Sequence, residues 1–259
     1  MQKYKNNISL KHKIISIAIA LIVWQLFAIL INNKLLLVSP IKVTERLSQL
    51  IFTREYWLAI SFSLLRIVLG FTLAIAIGLI FAVIANKYKI VDILLWPYIT
   101  AMKATPVTSF IILCLIWLST KTLSILTVFL IVFPIVYSNI FEALNTVDIK
   151  LLEMANVFKM KLSKRIRCIY IPHIMPFINS TVTVAIGMSW KAGVAAEVIG
   201  MPRGSIGSFM YEAKLYLSTA DLFAWTATII ALSMLLERLL SFFLKLTYKK
   251  VINLKGDKL

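Results

Sequence analysis

This sequence is short of acid. Only 11 of its 259 residues are Asp or Glu, against 28 Lys or Arg, and charge of either sign amounts to 15%. Soluble domains carry about 25% charge, so the chain lacks the polar surface a water-exposed globule needs. Cysteine and histidine are nearly absent, with two of each. Cys114 falls in an apolar run and Cys168 in a basic one, which gives no disulfide framework. His12 and His173 belong to neither an HExxH pattern nor a Cys/His cluster, so no metal site is expected. The G-x4-G-K-[ST] pattern is missing too, and with it any means of binding ATP through a P-loop in this chain. No cofactor is expected. No catalytic constellation is visible near a membrane interface, which argues against an integral-membrane enzyme. There is no internal repeat, low-complexity tract or linker, so residues 1–259 read as a single domain.

Apolar length is what the chain has in abundance: 60% of its residues are hydrophobic, and the mean hydropathy is +0.89. Crossing the hydrocarbon takes roughly 20 predominantly apolar residues. Six stretches qualify, at about 14–31, 57–85, 90–118, 122–141, 173–199 and 222–244. The fold class is therefore an all-α membrane protein of about six transmembrane helices, surrounded by lipid. The basic start before Ile14 resembles a signal peptide, but no small-x-small cleavage site follows the first run, which is read as a retained helix. Between the first two spans, IKVTERLSQLIF is amphipathic and suits a short surface helix. The third span is interrupted by Pro97, Lys103 and Pro106, the fourth contains Pro134, and residues 201–221 read as a polar connection.

Lys and Arg divide unevenly between the two sides. Seventeen lie at the N-terminus, in the link 87–89, in the loop 150–167 and in the tail from Lys245. Seven lie opposite: Lys34, Lys42, Arg46, Arg54, Lys121, Arg203 and Lys214. Short cytoplasmic loops carry the excess of Lys and Arg, so both termini are expected in the cytoplasm. This distribution, rather than nucleic-acid binding, accounts for a net charge of +17.

Residues 153–172, EMANVFKMKLSKRIRCIYIP, form a long basic segment between spans, with Glu153 as its one acid. Charges in hydrocarbon cost about 2.5–3.5 kcal/mol each on insertion scales, so the segment reads as a water-facing cytoplasmic loop that stops at a proline. It resembles the loop of bacterial ABC importer permeases, E-A-A-x3-G-x9-I-x-L-P. Glu153 stands at the Glu, Ala155 at the second Ala, Ile169 at the Ile and Pro172 at the Pro. Met154, Lys159 and Ile171 depart from the first Ala, the Gly and the Leu. The resemblance implies a coupling loop of about 143–172, with a short helix seated in a groove of an ATPase subunit. Small residues such as Ala155 would let that helix seat closely. The turn after it is where Lys159 matters, because a non-glycine residue at positive φ is uncommon.

Inside the spans, ionisable residues usually face a bundle interior or a water path. Lys191 and Glu197 in SWKAGVAAEVIG are six residues apart, which turns them to faces roughly 120° apart on a helix. Two readings of Lys191 stand side by side, a translocation-path lysine and one that snorkels or pairs with an acid on another helix. Glu197, near the outer end, reads more readily as structural. Lys103 and Pro106 stand where the third span breaks and suit either a path or a packing kink. Trp190, Lys191, Glu197, Lys103 and Pro106 are the path candidates. Arg66 reads as snorkelling outward, and Glu237 with Arg238 as an interface anchor.

VSPIKV, SLLRIVLGFTLAIAIG, MKATPVTSFIILCLIW, SWKAGVAAEVIG with GSIG, and DLFAW extend the resemblance to the nitrate, sulfonate and taurine type of ABC importer permease, from Val38 to Leu240. It implies a permease working as a pair, a homodimer, with two ABC ATPase subunits and an extracytoplasmic substrate-binding protein. ATP would close the ATPase dimer, the coupling helices would move, and a small solute (nitrate, a sulfonate, taurine or a vitamin precursor) would pass inward. The alternative is a secondary transporter or channel for a small anion, which needs no coupling loop.

Overall fold

The computed structural model describes residues 10–33 and 35–253. The charges counted above at residues 1–9, at Lys34 and after Asn253 lie outside the described residues. Among the described residues the regular structure is wholly helical: α1 (Leu10–Ile31), α2 (Pro40–Ile51), α3 (Arg54–Lys87), α4 (Lys89–Ala104), α5 (Val107–Trp117), α6 (Thr120–Asn145), α7 (Ile149–Val157), α8 (Leu162–Arg165), a π turn (Ile166–Tyr170), α9 (Ile171–Gly200), α10 (Ile206–Leu215) and α11 (Thr219–Asn253). Five helical runs are long and apolar enough to cross a membrane, and α4 with α5 makes a sixth if the bent pair counts as one span.

Local sequence accounts for most of the boundaries. Pro40 opens α2 in its first turn, where a missing N–H costs nothing. Asp148 caps α7 by accepting the Lys150 N–H at 2.9 Å. The third span breaks at Pro106 rather than Pro97, which lies within α4. Proline disfavours helical backbone at the residue before it; Thr105 accordingly has ψ 129, and the two pieces meet at 107°.

Two expectations are corrected. The polar connection 201–221 contains a packed helix, α10, because Ile206, Phe209 and Ala213 recur at helical spacing and both Ile206 and Ala213 are buried. The basic stretch does not end as a loop at Pro172. Residues 162–200 form one continuous helical run. Pro172 cannot donate an N–H and its ring crowds the carbonyl four residues back. The run accommodates it by widening into the π turn, where the Ile171 N–H reaches the Ile166 carbonyl.

The chain forms two compact units, described in turn. One comprises residues 1–57 and 209–228. In it Trp225 lies between the rings of Tyr56 and Phe209, at 5.1 and 5.3 Å between centroids. The Tyr56 hydroxyl meets Thr228 Oγ1 at 2.9 Å. Arg46 and Asp221 form an ion pair, and the Ser218 hydroxyl donates to the same carboxylate at 2.6 Å. The other unit comprises residues 58–208 and 229–259. Its core is α6 packed along α9 and crossed by α3. A Cβ on Gly193 of α9 would lie 2.6 Å from Ile67 and 3.1 Å from Val128. One on Gly70 of α3 would meet the Ile125 carbonyl at 2.5 Å. Small residues at such crossings let membrane helices approach closely, where lipid supplies no hydrophobic drive for packing.

Candidate functional site

All the sequence-derived site residues fall in the second unit, in two groups at different levels of the α9 run. The first group is the stretch 153–172, expected from the sequence to be a coupling loop. α7 ends in a tight reversal in which the Lys159 N–H donates to the Asn156 carbonyl and the Met160 N–H to the Ala155 carbonyl, both at 2.9 Å. Lys159 has φ +47. This is the Schellman pattern, with the left-handed residue one past the helix cap; glycine favours that position, yet here a lysine holds it. Met160 packs over Ala155, Val147 and Ile169, the hydrophobic contact that usually accompanies the motif.

Ala155 is wholly buried within the chain, so its small size serves packing against Val147 and Ile169, not seating in a partner's groove. The apolar residues that face outward are Ile149, Leu151, Met154, Val157 and Phe158, the last two 79% and 73% exposed. Glu153 is exposed and Pro172 half-buried in the run toward α9. Sequence reasoning missed Arg165 except as one charge among several. Its Nε donates to the Met160 carbonyl at 2.9 Å and its guanidinium donates again to the Ala155 carbonyl at 3.3 Å. A cation on the free carbonyls of a helix C-terminus is also favoured by the helix dipole.

The second group lies further along α9. Asn179, Ser180, Thr183 and Lys191 are exposed. Gly187, in the same strip, has nothing within 4 Å of where a Cβ would stand. The positions 179, 183, 187 and 191 are four apart, so they line one face of the helix. Val184 beside them is also exposed, and the opposite face is buried through Thr181, Val182, Ala185, Ile186, Ser189 and Trp190. Polar groups turned to lipid are costly, so this strip suits water or another subunit. The signal was in the sequence as FINSTVTVAIGMSWK, read at a spacing of four.

Trp190 and Lys191 therefore part company: Trp190 is 1% exposed and belongs to the core, whereas Lys191 belongs to the open strip. Glu197 is fully buried and structural. Its Oε2 accepts the Ser63 hydroxyl at 2.6 Å and the Gly207 N–H at 3.3 Å, while Ser63 Oγ accepts the Ile206 N–H at 3.0 Å. Carboxylate and serine together hold the first N–H groups of α10, where negative charge is favoured. Gly207 must be glycine here, since a Cβ would lie 2.3 Å from Glu197 Cβ and 2.5 Å from its carbonyl carbon. Lys191 and Glu197 do not pair.

Lys103 and Pro106 are exposed at the α4–α5 break. Val107, next to Pro106, packs against the cluster that contains Ala196 of α9, beyond Lys191 toward the C-terminal end of that helix. Arg66 does not snorkel freely. It donates to the Lys121 carbonyl at 2.5 Å and lies over the Phe62 ring. Cys114 and Cys168 are free thiols.

Comparison with known proteins fits this geometry. Residues 74–252 match the family model of the binding-protein-dependent transport system inner membrane component. The putative aliphatic sulfonates transport permease protein of Bacillus subtilis is 27% identical over 209 residues, covering 80% of this chain and 75% of that protein. The bicarbonate transport system permease protein of Synechococcus elongatus is 25% identical over 230 residues, covering 84% and 82%. Among solved structures, a chain from the crystal structure of an amino acid ABC transporter with histidines superposes with a TM-score of 0.53 at 20% identity, over 74% of this chain and 94% of that one. At that identity the likeness speaks for the fold alone.

Proposed function

The chain belongs to the binding-protein-dependent transport system inner membrane component family, as an ABC transporter permease of the nitrate, sulfonate and taurine type in the bacterial inner membrane, and from that premise we propose that it forms the path of an ATP-driven importer. In this reading ATP is hydrolysed by separate ABC ATPase subunits, a second copy of the chain completes the path, and an extracytoplasmic binding protein delivers the solute. Both termini and α7 face the cytoplasm, consistent with the 17 to 7 division of Lys and Arg.

The observation that carries the proposal is the form of α7. It is a short helix with an exposed apolar face, Met154, Val157 and Phe158, closed by a hydrogen-bonded turn and followed by the unbroken run that becomes α9. Exposed apolar residues grouped in this way mark a docking surface. The polar strip on α9, ending at Lys191, supplies the path, and its ammonium favours a negatively charged solute. The related sulfonate and bicarbonate permeases are both described by anions.

The test is assembly. Met154→Asp with Phe158→Asp places two charges on the docking face without touching buried residues. The doubly substituted permease is expected to insert normally but to lose the ATPase on co-purification, with the complex weakened at least a hundredfold if the two truncated contacts cost roughly 2 kcal/mol each, as hot-spot residues do. Wild-type recovery of the ATPase would remove α7 from the interface.

A further inference from the structure

The outward face of α7 and the polar strip of α9 are far apart along the chain, and something must carry movement from one to the other. The backbone between them offers two weak points. The reversal at Lys159 rests on a non-glycine residue in the left-handed region, with φ +47. The π turn Ile166–Tyr170 interrupts the regular helix before Pro172. A push on α7 could be absorbed at either place. One side chain bridges the first of them. Arg165 stands in the last turn of α8, directly before the π turn, and its guanidinium donates to the carbonyls of Met160 and Ala155. Those carbonyls lie on the two sides of Lys159, one at the end of the reversal and one inside α7.

We propose that Arg165 is the positioning residue that locks α7 to the start of the α9 run across the Lys159 reversal, so that displacement of α7 by the ATPase is passed into that run instead of being absorbed at the reversal. The chemistry fits the task. A guanidinium is planar, always charged and presents donors in a fixed fork, so it can hold two carbonyls at a set separation. An ammonium has three rotatable donors but no fixed fork, so it does not set the separation of the two carbonyls. The neighbours Lys164 and Arg167 carry the same charge and are exposed. Neither makes a hydrogen bond to the reversal among the described residues. The inner packing of Ala155, Ile169 and Val147 keeps the two parts in contact, and Arg165 fixes their angle. The inference rests on α7 being the ATPase contact, as set out above.

The experiment uses the permease assembled with its ATPase in proteoliposomes, with Cys114 and Cys168 replaced by alanine and a single Thr183→Cys reporter on the α9 strip. The rate of labelling by a charged, water-soluble thiol reagent is measured with and without ATP and vanadate. In the parent complex nucleotide changes that rate. In Arg165→Met, which keeps length but loses every donor, the ATPase stays bound and hydrolyses ATP while the nucleotide-dependent change falls roughly tenfold, the scale of losing one charge-assisted hydrogen bond. Arg165→Lys gives an intermediate response, and Lys164→Met responds like the parent. A full nucleotide response in Arg165→Met would overturn the proposal. Loss of the bound ATPase in that variant would overturn it equally, because Arg165 would then shape the docking face instead of transmitting through it. If Arg165→Met fails to insert, Arg165→Lys decides, and a parental response there counts against the lock. A parent complex that binds no ATPase, or shows no nucleotide effect at all, would instead sink the underlying assignment of α7.

Discussion

The two ends of the α9 run are held by the same device with the sign reversed. At the end that the proposed topology places outside, a carboxylate, Glu197, meets the N–H groups that open α10. At the end that it places inside, a guanidinium, Arg165, meets the carbonyls that close α7. Each charge matches the dipole of the helix terminus it holds. They differ in burial. Glu197 is 0% exposed, with Ser63 and Gly207 packed on it, whereas Arg165 is half-buried at the edge of an exposed apolar helix. A buried, close-packed junction behaves as a fixed point; a half-open one, joined by two hydrogen bonds and bordered by a π turn, can transmit displacement. On the proposed reading, the molecule anchors α9 at one end and drives it from the other.

The largest effect that could break this comparison is at the fixed end. Glu197→Leu leaves the Ser63 hydroxyl and the Gly207 N–H without their acceptor, at about 1–3 kcal/mol for each buried donor. The expected outcome is a sharp fall in inserted, detergent-stable permease, read by size-exclusion chromatography. Normal yield and thermal stability would mean that the outer junction is not an anchor.

Between the ends, Lys191→Met removes charge from the strip while keeping length and apolar bulk. Stability and ATPase binding should be unchanged, because Lys191 is exposed and supports no buried partner. Transport of an anionic solute should fall about tenfold or more, as when an interaction of about 1.4 kcal/mol is lost. Uptake at the parental rate would take Lys191 out of the path.

The smallest effect belongs to the inner turn. Lys159→Gly relieves the left-handed strain and should stabilise the assembled permease by about 1 kcal/mol or less, with transport retained. Lys159→Val, β-branched, should do the reverse. A melting temperature lowered by glycine and raised by valine would contradict the geometry of the turn.

The spans were legible because apolar runs of the required length announce themselves, and so was the break at Pro106. The spacing from Glu153 to Pro172 marked out the stretch that holds the short helix α7 and its turn, although not which way that helix faces. Ala155 turns inward because Val147 and Ile169 lie beside it, and nothing in the local string tells an alanine buried at home from one buried in a partner. α10 was missed because its polar flanks, GS and YEAK, outweighed Ile206, Phe209 and Ala213, whose helical spacing was there to be counted. The partner of Glu197 could not have been read at all, since Ser63 stands 134 residues away. Arg165 was hidden for the opposite reason. It is one of several equivalent charges in a short stretch, and only the fold singles out the one that reaches back.

The proposed path requires the polar face of α9 to border water within the membrane. In a background lacking Cys114 and Cys168, single cysteines at Thr183 and at Ile80, both exposed in the isolated chain, separate a water path from a lipid surface. With a membrane-impermeant thiol reagent applied to inverted and right-side-out vesicles, Thr183→Cys is expected to react from at least one side and Ile80→Cys from neither. Equal silence at both positions, with both proteins inserted, would contradict the account.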